Sequence, residues 1–182
     1  MQIVNGTKWL ECGMAKNNAM QNIMLAYYRP IVQKEVRLSG AKPSHIVLCV
    51  GGGHFPATAI LFHQLSGAKV VVVDNDKKAI VSARQVVKSL GLEGKVIVKY
   101  VDGGDVSGEK FNIVHIAMQI SPKEQVFNHM YSTIKAKSRV VVRVPKACLE
   151  KGYQPFENVD VCDGFVIQPS YSNIERTLLY VK

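Results

Sequence analysis

The stretch Val47-Leu48-Cys49-Val50-Gly51-Gly52-Gly53-His54-Phe55-Pro56-Ala57-Thr58-Ala59-Ile60 decides how the rest of the chain is read. Its first four residues form a continuous apolar run, the pattern of a strand buried on both faces. Three glycines follow, and glycine permits tight turns and close backbone approach that side chains obstruct. Pro56 suits the first turn of a helix, where its missing N–H has no partner to lose. Strand, glycine turn and helix start together open a βαβ unit, and the free N–H groups of such a helix start can hold an anion such as a carboxylate. Alone, the pattern Gly51-x-Gly53-x-x-Pro56 is weak, because glycine turns also serve only to join strand to helix.

Working outward, the hydrophobic pattern predicts strands over His45–Val50, Lys69–Asp74, Val96–Val101, Phe111–Ala117 and Arg139–Val144. Helices are predicted over Pro56–Leu65, Lys77–Leu90 and Pro122–Ile134. The second places Ile80, Ala83, Val87 and Leu90 on one face and ends at Gly91. Apolar strands each followed by a helix imply a parallel sheet covered on both sides. Beyond Lys151 the pattern changes. Gly164–Gln168 and Ile174–Val181 are joined by only Pro169-Ser170-Tyr171-Ser172-Asn173, too short for a crossover, so they read as an antiparallel hairpin. The expected architecture is α/β: a Rossmann-like fold of the methyltransferase type, mostly parallel and finished by a hairpin.

Upstream the chain differs. Residues 1–43 contain four of the six Met and no strand-like run, and read as a short helical N-terminal segment ahead of a domain over residues 44–182. Met20, Ile23, Met24 and Tyr27 give Met14–Tyr28 a helical spacing. Pro30 is expected to interrupt it and to start a second helix over Ile31–Leu38.

Composition sets outer bounds. With 182 residues, 47% apolar and 20% charged, the chain can bury one proper core. No apolar run approaches the roughly 18–20 residues that span a bilayer, and the first residues lack the charge and apolar centre of an export signal. A soluble, cytoplasmic protein without a membrane partner is expected. Cys12, Cys49, Cys148 and Cys162 form no CxxC pair, and no His spacing suggests metal ligation, so neither disulfides nor a metal are expected. The net charge of +9 fits either solvated helix faces or an RNA partner. Its clusters are short and lack interleaved aromatics, so nucleic acid is an open but disfavoured partner.

Three features fall at the carboxyl ends of successive strands, where open α/β sheets bind ligands. Gly51, Gly53, His54 and Pro56 form the first loop. Asp74, followed by Asn75, closes the second strand 23 residues beyond Gly51. An acidic residue there can accept hydrogen bonds from ribose hydroxyls, while Asp76 is better placed to cap the next helix. Asp102-Gly103-Gly104-Asp105 follows the third strand. Asp102 could receive an adenine amine and Gly103 could leave room for the ring, although the composition equally suits a polar turn. Pro56 stands where the dinucleotide fingerprint has glycine, and no second mononucleotide half is evident. A single nucleoside with a short charged tail fits better than a dinucleotide.

The stretch from Val47 to Ile60 resembles the glycine loop of nicotianamine synthases and their archaeal and bacterial relatives. Against that family's GSGPLPLTSI, Gly51, Gly53, Pro56, Thr58 and Ile60 match. Tyr28, Ile31 and Glu35 approximate an upstream Tyr-x-x-Leu-x-x-x-Glu. Val70–Asp76 ends in a family-like Asp-x-Asp, and Val140–Arg143 looks like the family's fifth strand ending in Arg. Two departures stand out: His54-Phe55 replaces Pro-Leu, and the stretch before Tyr28 is far shorter than the family's helical cover.

The resemblance implies a transferase that uses S-adenosyl-L-methionine and moves its 3-amino-3-carboxypropyl group, or a methyl group, to a small amine or amino acid. It implies Glu35 as the carboxylate near the reacting amine, with Tyr28 beside it. Read from local sequence alone, Glu35 is equally a solvated residue between Lys34 and Arg37. The alternatives are a methyltransferase acting on RNA or another macromolecule and a non-catalytic nucleoside-binding module, the latter as a homo-oligomer through its Met-rich N-terminus. Gln119-Ile120-Ser121-Pro122 after the fourth strand is unlike the Asn-Pro-Pro-Tyr pattern of base amino methylation.

Overall fold

The computed structural model describes residues 18–154 and 156–182. The part of the expected first helix before residue 18 lies outside them. Seven strands form one sheet: β1 (Ile46–Val50), β2 (Lys69–Asp74), β3 (Val96–Tyr100), β4 (Ile113–Ile116), β5 (Arg139–Pro145), β6 (Gly164–Ile167) and β7 (Ile174–Val181). Their order is β3-β2-β1-β4-β5-β7-β6. The first five run parallel, while β7 is antiparallel to both β5 and β6. The mostly parallel sheet finished by a hairpin is the expected one, and strand limits agree within about two residues, the uncertainty inherent in element ends.

The helices are α1 (Asn18–Ser39), α2 (Ala57–Ser66), α3 (Lys77–Ser89) and α4 (Lys123–Thr133). Alternate strand residues face opposite sides, so β1, β2, β4 and β5 feed two cores. Val47, Cys49, Val70 and Val72 pack with Leu25, Val32, Ile60, Phe62, Ile80 and Val86 from α1–α3. Leu48, Val50, Val114 and Ile116 pack on the other side with Val126, Phe127 and Met130 of α4. Among the described residues no helix is long and apolar enough to cross a membrane.

The N-terminal region corrects the expectation of two helices. α1 is one continuous helix with Pro30 inside it. Proline removes one backbone hydrogen bond, normally to the carbonyl four residues earlier. Here both Pro30 and Ala26 are exposed, so water can take the freed carbonyl. The opposite face, carrying Leu25, Ile31, Val32, Glu35 and Ser39, is buried, and this tertiary packing outweighs the local penalty. Arg139 of β5 donates from Nη1 to the Ser39 carbonyl at 2.7 Å, fixing the helix end against the sheet. The continuity matters for the site, because it places Tyr28 and Glu35, two turns apart, on the same side of one rigid element.

Candidate functional site

A cavity of about 300 Å³ opens at the carboxyl ends of β1, β2 and β4, roofed in part by α1. Its floor is the glycine turn. Gly51 has φ +84° and Gly53 φ +62°, backbone conformations that side chains rarely adopt. Gly51 also leaves no room for a side chain, since a Cβ there would meet Ile120 Cδ1 at 2.5 Å. Gly52 is equally constrained: its Cβ would fall 2.1 Å from Val72 Cγ1. His54 is buried, its Nδ1 has no hydrogen-bond partner among the described residues, and it lines the cavity. Buried polar atoms are ordinarily paired, so the His54 Nδ1 atom stands out among those of the cavity wall.

The carboxylates behave differently from one another. Asp74, at the tip of β2, accepts from Gly53 N through Oδ2 at 2.8 Å and from Asp76 N through Oδ1 at 2.9 Å. It therefore clamps the glycine turn while each oxygen keeps a second lone pair, and its side chain lines the cavity. Asp76 accepts from Lys78 N and Ala79 N and so caps α3, as expected for it. Asp102 is exposed; it accepts from Gly104 N at 2.8 Å and from Asn75 Nδ2 at 2.7 Å. The bond from Asn75 ties the loops after β2 and β3 to each other at the cavity rim. Packing favours glycine at position 103, because a Cβ would come within 2.4 Å of Val50 Cγ1.

Glu35 occupies another environment. It is 0% exposed and is not part of the cavity wall, so the solvated reading left open by local sequence does not hold. Arg143 of β5 grips it with two parallel bonds, Nε to Oε1 at 2.7 Å and Nη2 to Oε2 at 2.8 Å. Thr177, the cross-strand neighbour of Arg143, donates to Oε1 at 2.9 Å. Gln168 donates to the same oxygen at 3.5 Å and to Thr177 Oγ1 at 2.7 Å. His115 Nε2 stands 3.4 Å from Oε2, near enough to feel the charge but without hydrogen-bond geometry. Burial opposes ionisation of Glu35, yet Arg143 and the groups around it win and hold the carboxyl well below its usual range. For His115 burial wins, pushing the imidazole down toward its neutral form.

Of the residues singled out from sequence, Gly51, Gly53, His54, Asp74, Asn75, Asp102, Gly103 and Tyr28 all line the larger cavity. Pro56 lies on a smaller adjoining one, and Glu35 sits behind the wall. Sequence reasoning did not assign Arg143 to the site, although it is the one guanidinium or ammonium among the described wall residues. It read the turn after β4 only for its unlikeness to Asn-Pro-Pro-Tyr, not as part of the wall that Met118, Gln119, Ile120 and Ser121 form. The strand-end rule that found Asp74 and Asp102 would have flagged that turn. Nothing local would have flagged Arg143.

No protein-family model matches the chain. It is 27% identical over 133 residues to an L-histidine 2-aminobutanoyltransferase of Yersinia pestis, covering 72% of this chain and 49% of that protein. A Pseudomonas aeruginosa protein of the same name is 24% identical, over 79% of this chain and 57% of its own length. The chain thus spans about half the length of the curated relatives it matches. Among solved structures, MtNAS in complex with MTA and tNA superposes with a TM-score of 0.84 at 22% identity, covering 98% of this chain and 72% of that one. An RNA methyltransferase of Salinibacter ruber in complex with S-adenosyl-L-homocysteine superposes at 0.68 with 15% identity, over 84% of this chain and 90% of that one. At such identities the structures establish the fold: a Rossmann-like sheet of the methyltransferase type. In sequence the chain is similar to L-histidine 2-aminobutanoyltransferases, and in fold to MtNAS.

Proposed function

We propose that the chain binds S-adenosyl-L-methionine in the larger cavity and transfers its 3-amino-3-carboxypropyl group to the amine of a small amino-acid acceptor. The observation that carries this reading is the charge layout of one cavity. Asp74, Asn75 and Asp102 stand at one end, where ribose hydroxyls and an adenine amine would find acceptors. Arg143 and Tyr28 stand toward α1 at the other. Gly51, Gly53 and His54 form the floor between them and would underlie the cofactor's sulfur and tail. The curated relatives' name favours aminocarboxypropyl over methyl transfer.

In the reaction the acceptor nitrogen attacks the methylene carbon beside the sulfonium. The carbon–sulfur bond breaks with its electron pair going to sulfur, giving neutral methylthioadenosine, and the nitrogen then gives up one proton. The leaving group is already cationic, so the chain's task is mainly orientation. Tyr28 is the candidate group on the cavity surface. Glu35 works one residue back, holding Arg143, instead of meeting the amine directly.

Incubation with S-adenosyl-L-methionine and a pool of amino acids tests the reading. The expected nucleoside product is methylthioadenosine. S-adenosylhomocysteine would replace this reading with methyl transfer, and no nucleoside product from any acceptor would favour a binding module.

A further inference from the structure

Arg143 spends only part of its hydrogen-bonding capacity on Glu35. Nε and Nη2 are taken, while Nη1 has no acceptor among the described residues. The side chain is 7% exposed and forms part of the wall of both the larger cavity and a second one of about 60 Å³. The two cavities share Tyr28, Gly51, Gly53, Gln119 and Arg143. The smaller is closed by Pro56, Ala57, Thr58 and Ala59, the first turn of the ten-residue helix α2, whose positive dipole end favours an anion. Its volume admits a carboxylate but not a nucleoside. A guanidinium fixed in plane by a buried carboxylate is a preorganised fork for another.

We infer that Arg143 Nη1 and the start of α2 form a carboxylate subsite for one of the two substrates, with Glu35 as the positioning residue that holds the guanidinium in place. This rests on the function proposed above. The carboxylate belongs either to the amino-acid tail of S-adenosyl-L-methionine or to the acceptor, and binding measurements separate the two.

Calorimetry on wild type and Arg143→Lys, which keeps a positive charge beside Glu35 but loses the fork, provides the test. A double variant, Glu35→Gln with Arg143→Gln, removes both charges together and makes the same comparison should the single variant not fold. Methylthioadenosine, which lacks the tail, is the control and should bind wild type and variants within about threefold. The first pair of probes is S-adenosyl-L-methionine and its decarboxylated form. The second is L-histidine and histamine, titrated with methylthioadenosine bound. Wild type should prefer the carboxylate-bearing member of one pair by at least about tenfold, and the variants should lose that preference. Loss in the first pair assigns the subsite to the cofactor tail, and loss in the second to the acceptor. Wild type without a carboxylate preference in either pair, or a preference that survives in the variants, overturns the inference. Failure of wild type to bind methylthioadenosine would instead count against the proposed function.

Discussion

Asp74 and Glu35 are two carboxylates under opposite physical regimes, one lining the larger cavity and one buried behind its Arg143 wall. Asp74 sits half-buried at a strand tip, bonded only to backbone N–H groups within 21 residues of itself. Glu35 is wholly buried and bonded to side chains 108, 133 and 142 residues away. The first lines the cavity, and its hydrogen-bond partners are local backbone groups. The second is a structural charge whose loss strands a guanidinium in the core. A carboxylate's type thus says little about its role, whereas the reach of its partners says much.

The largest expected effect breaks that comparison if it fails. Glu35→Ala should cost about 3–5 kcal/mol in urea unfolding, because it leaves Arg143 buried and unpaired. Asp74→Ala, which loses two backbone bonds, should cost only about 1–3 kcal/mol. Equal costs would remove the distinction. The same pair responds differently to acid. The Glu35 carboxyl has a folded pKa below its usual 4.5, so its contribution is complete above that value and is lost as pH falls below it. Glu35→Gln should therefore show a flatter loss of stability below pH 4.5 than wild type.

A smaller effect sharpens the local side. Gly52→Ala forces a methyl against Val72, and such overpacking should cost about 1–3 kcal/mol. Combining it with Val72→Ala should recover most of that loss, since the two groups touch and their effects are not additive. No recovery would mean that the glycine serves backbone conformation alone. Asp74→Asn comes next: S-adenosyl-L-methionine affinity should fall by about tenfold, roughly 1.4 kcal/mol, with the unfolding midpoint nearly unchanged. Unaltered affinity would move the nucleoside away from β2.

The smallest effect concerns a second buried charge below Arg143. Lys123 is 0% exposed, donates to the Arg143 carbonyl at 3.2 Å, and is pushed down by burial to about 8. Between that value and its ordinary 10.5 the unfolded chain binds more protons than the folded one, so wild-type stability should gain from rising pH. Lys123→Met has no such gain. Its stability relative to wild type should therefore be more favourable at pH 7 than at pH 9.5. A difference independent of pH would contradict the account of Lys123.

The same contrast between local and distant partners explains what was legible beforehand. Strands, hairpin and the glycine turn declare themselves through alternation and short spacings. So do Asp74, Asn75 and Asp102, because a strand end is a local signal. Two local readings misled. Pro30 breaks helices in isolation, but here a face bearing Leu25, Ile31 and Val32 is buried and the helix runs on. Glu35 between Lys34 and Arg37 looks solvated until β5 delivers Arg143 and β7 delivers Thr177. No periodicity encodes a partner more than a hundred residues away.

Titrating S-adenosyl-L-methionine into well-folded wild-type protein by calorimetry is the most direct test of the central claim. The account predicts a saturable one-to-one heat that added methylthioadenosine competes away. Absence of heat with both ligands would contradict it.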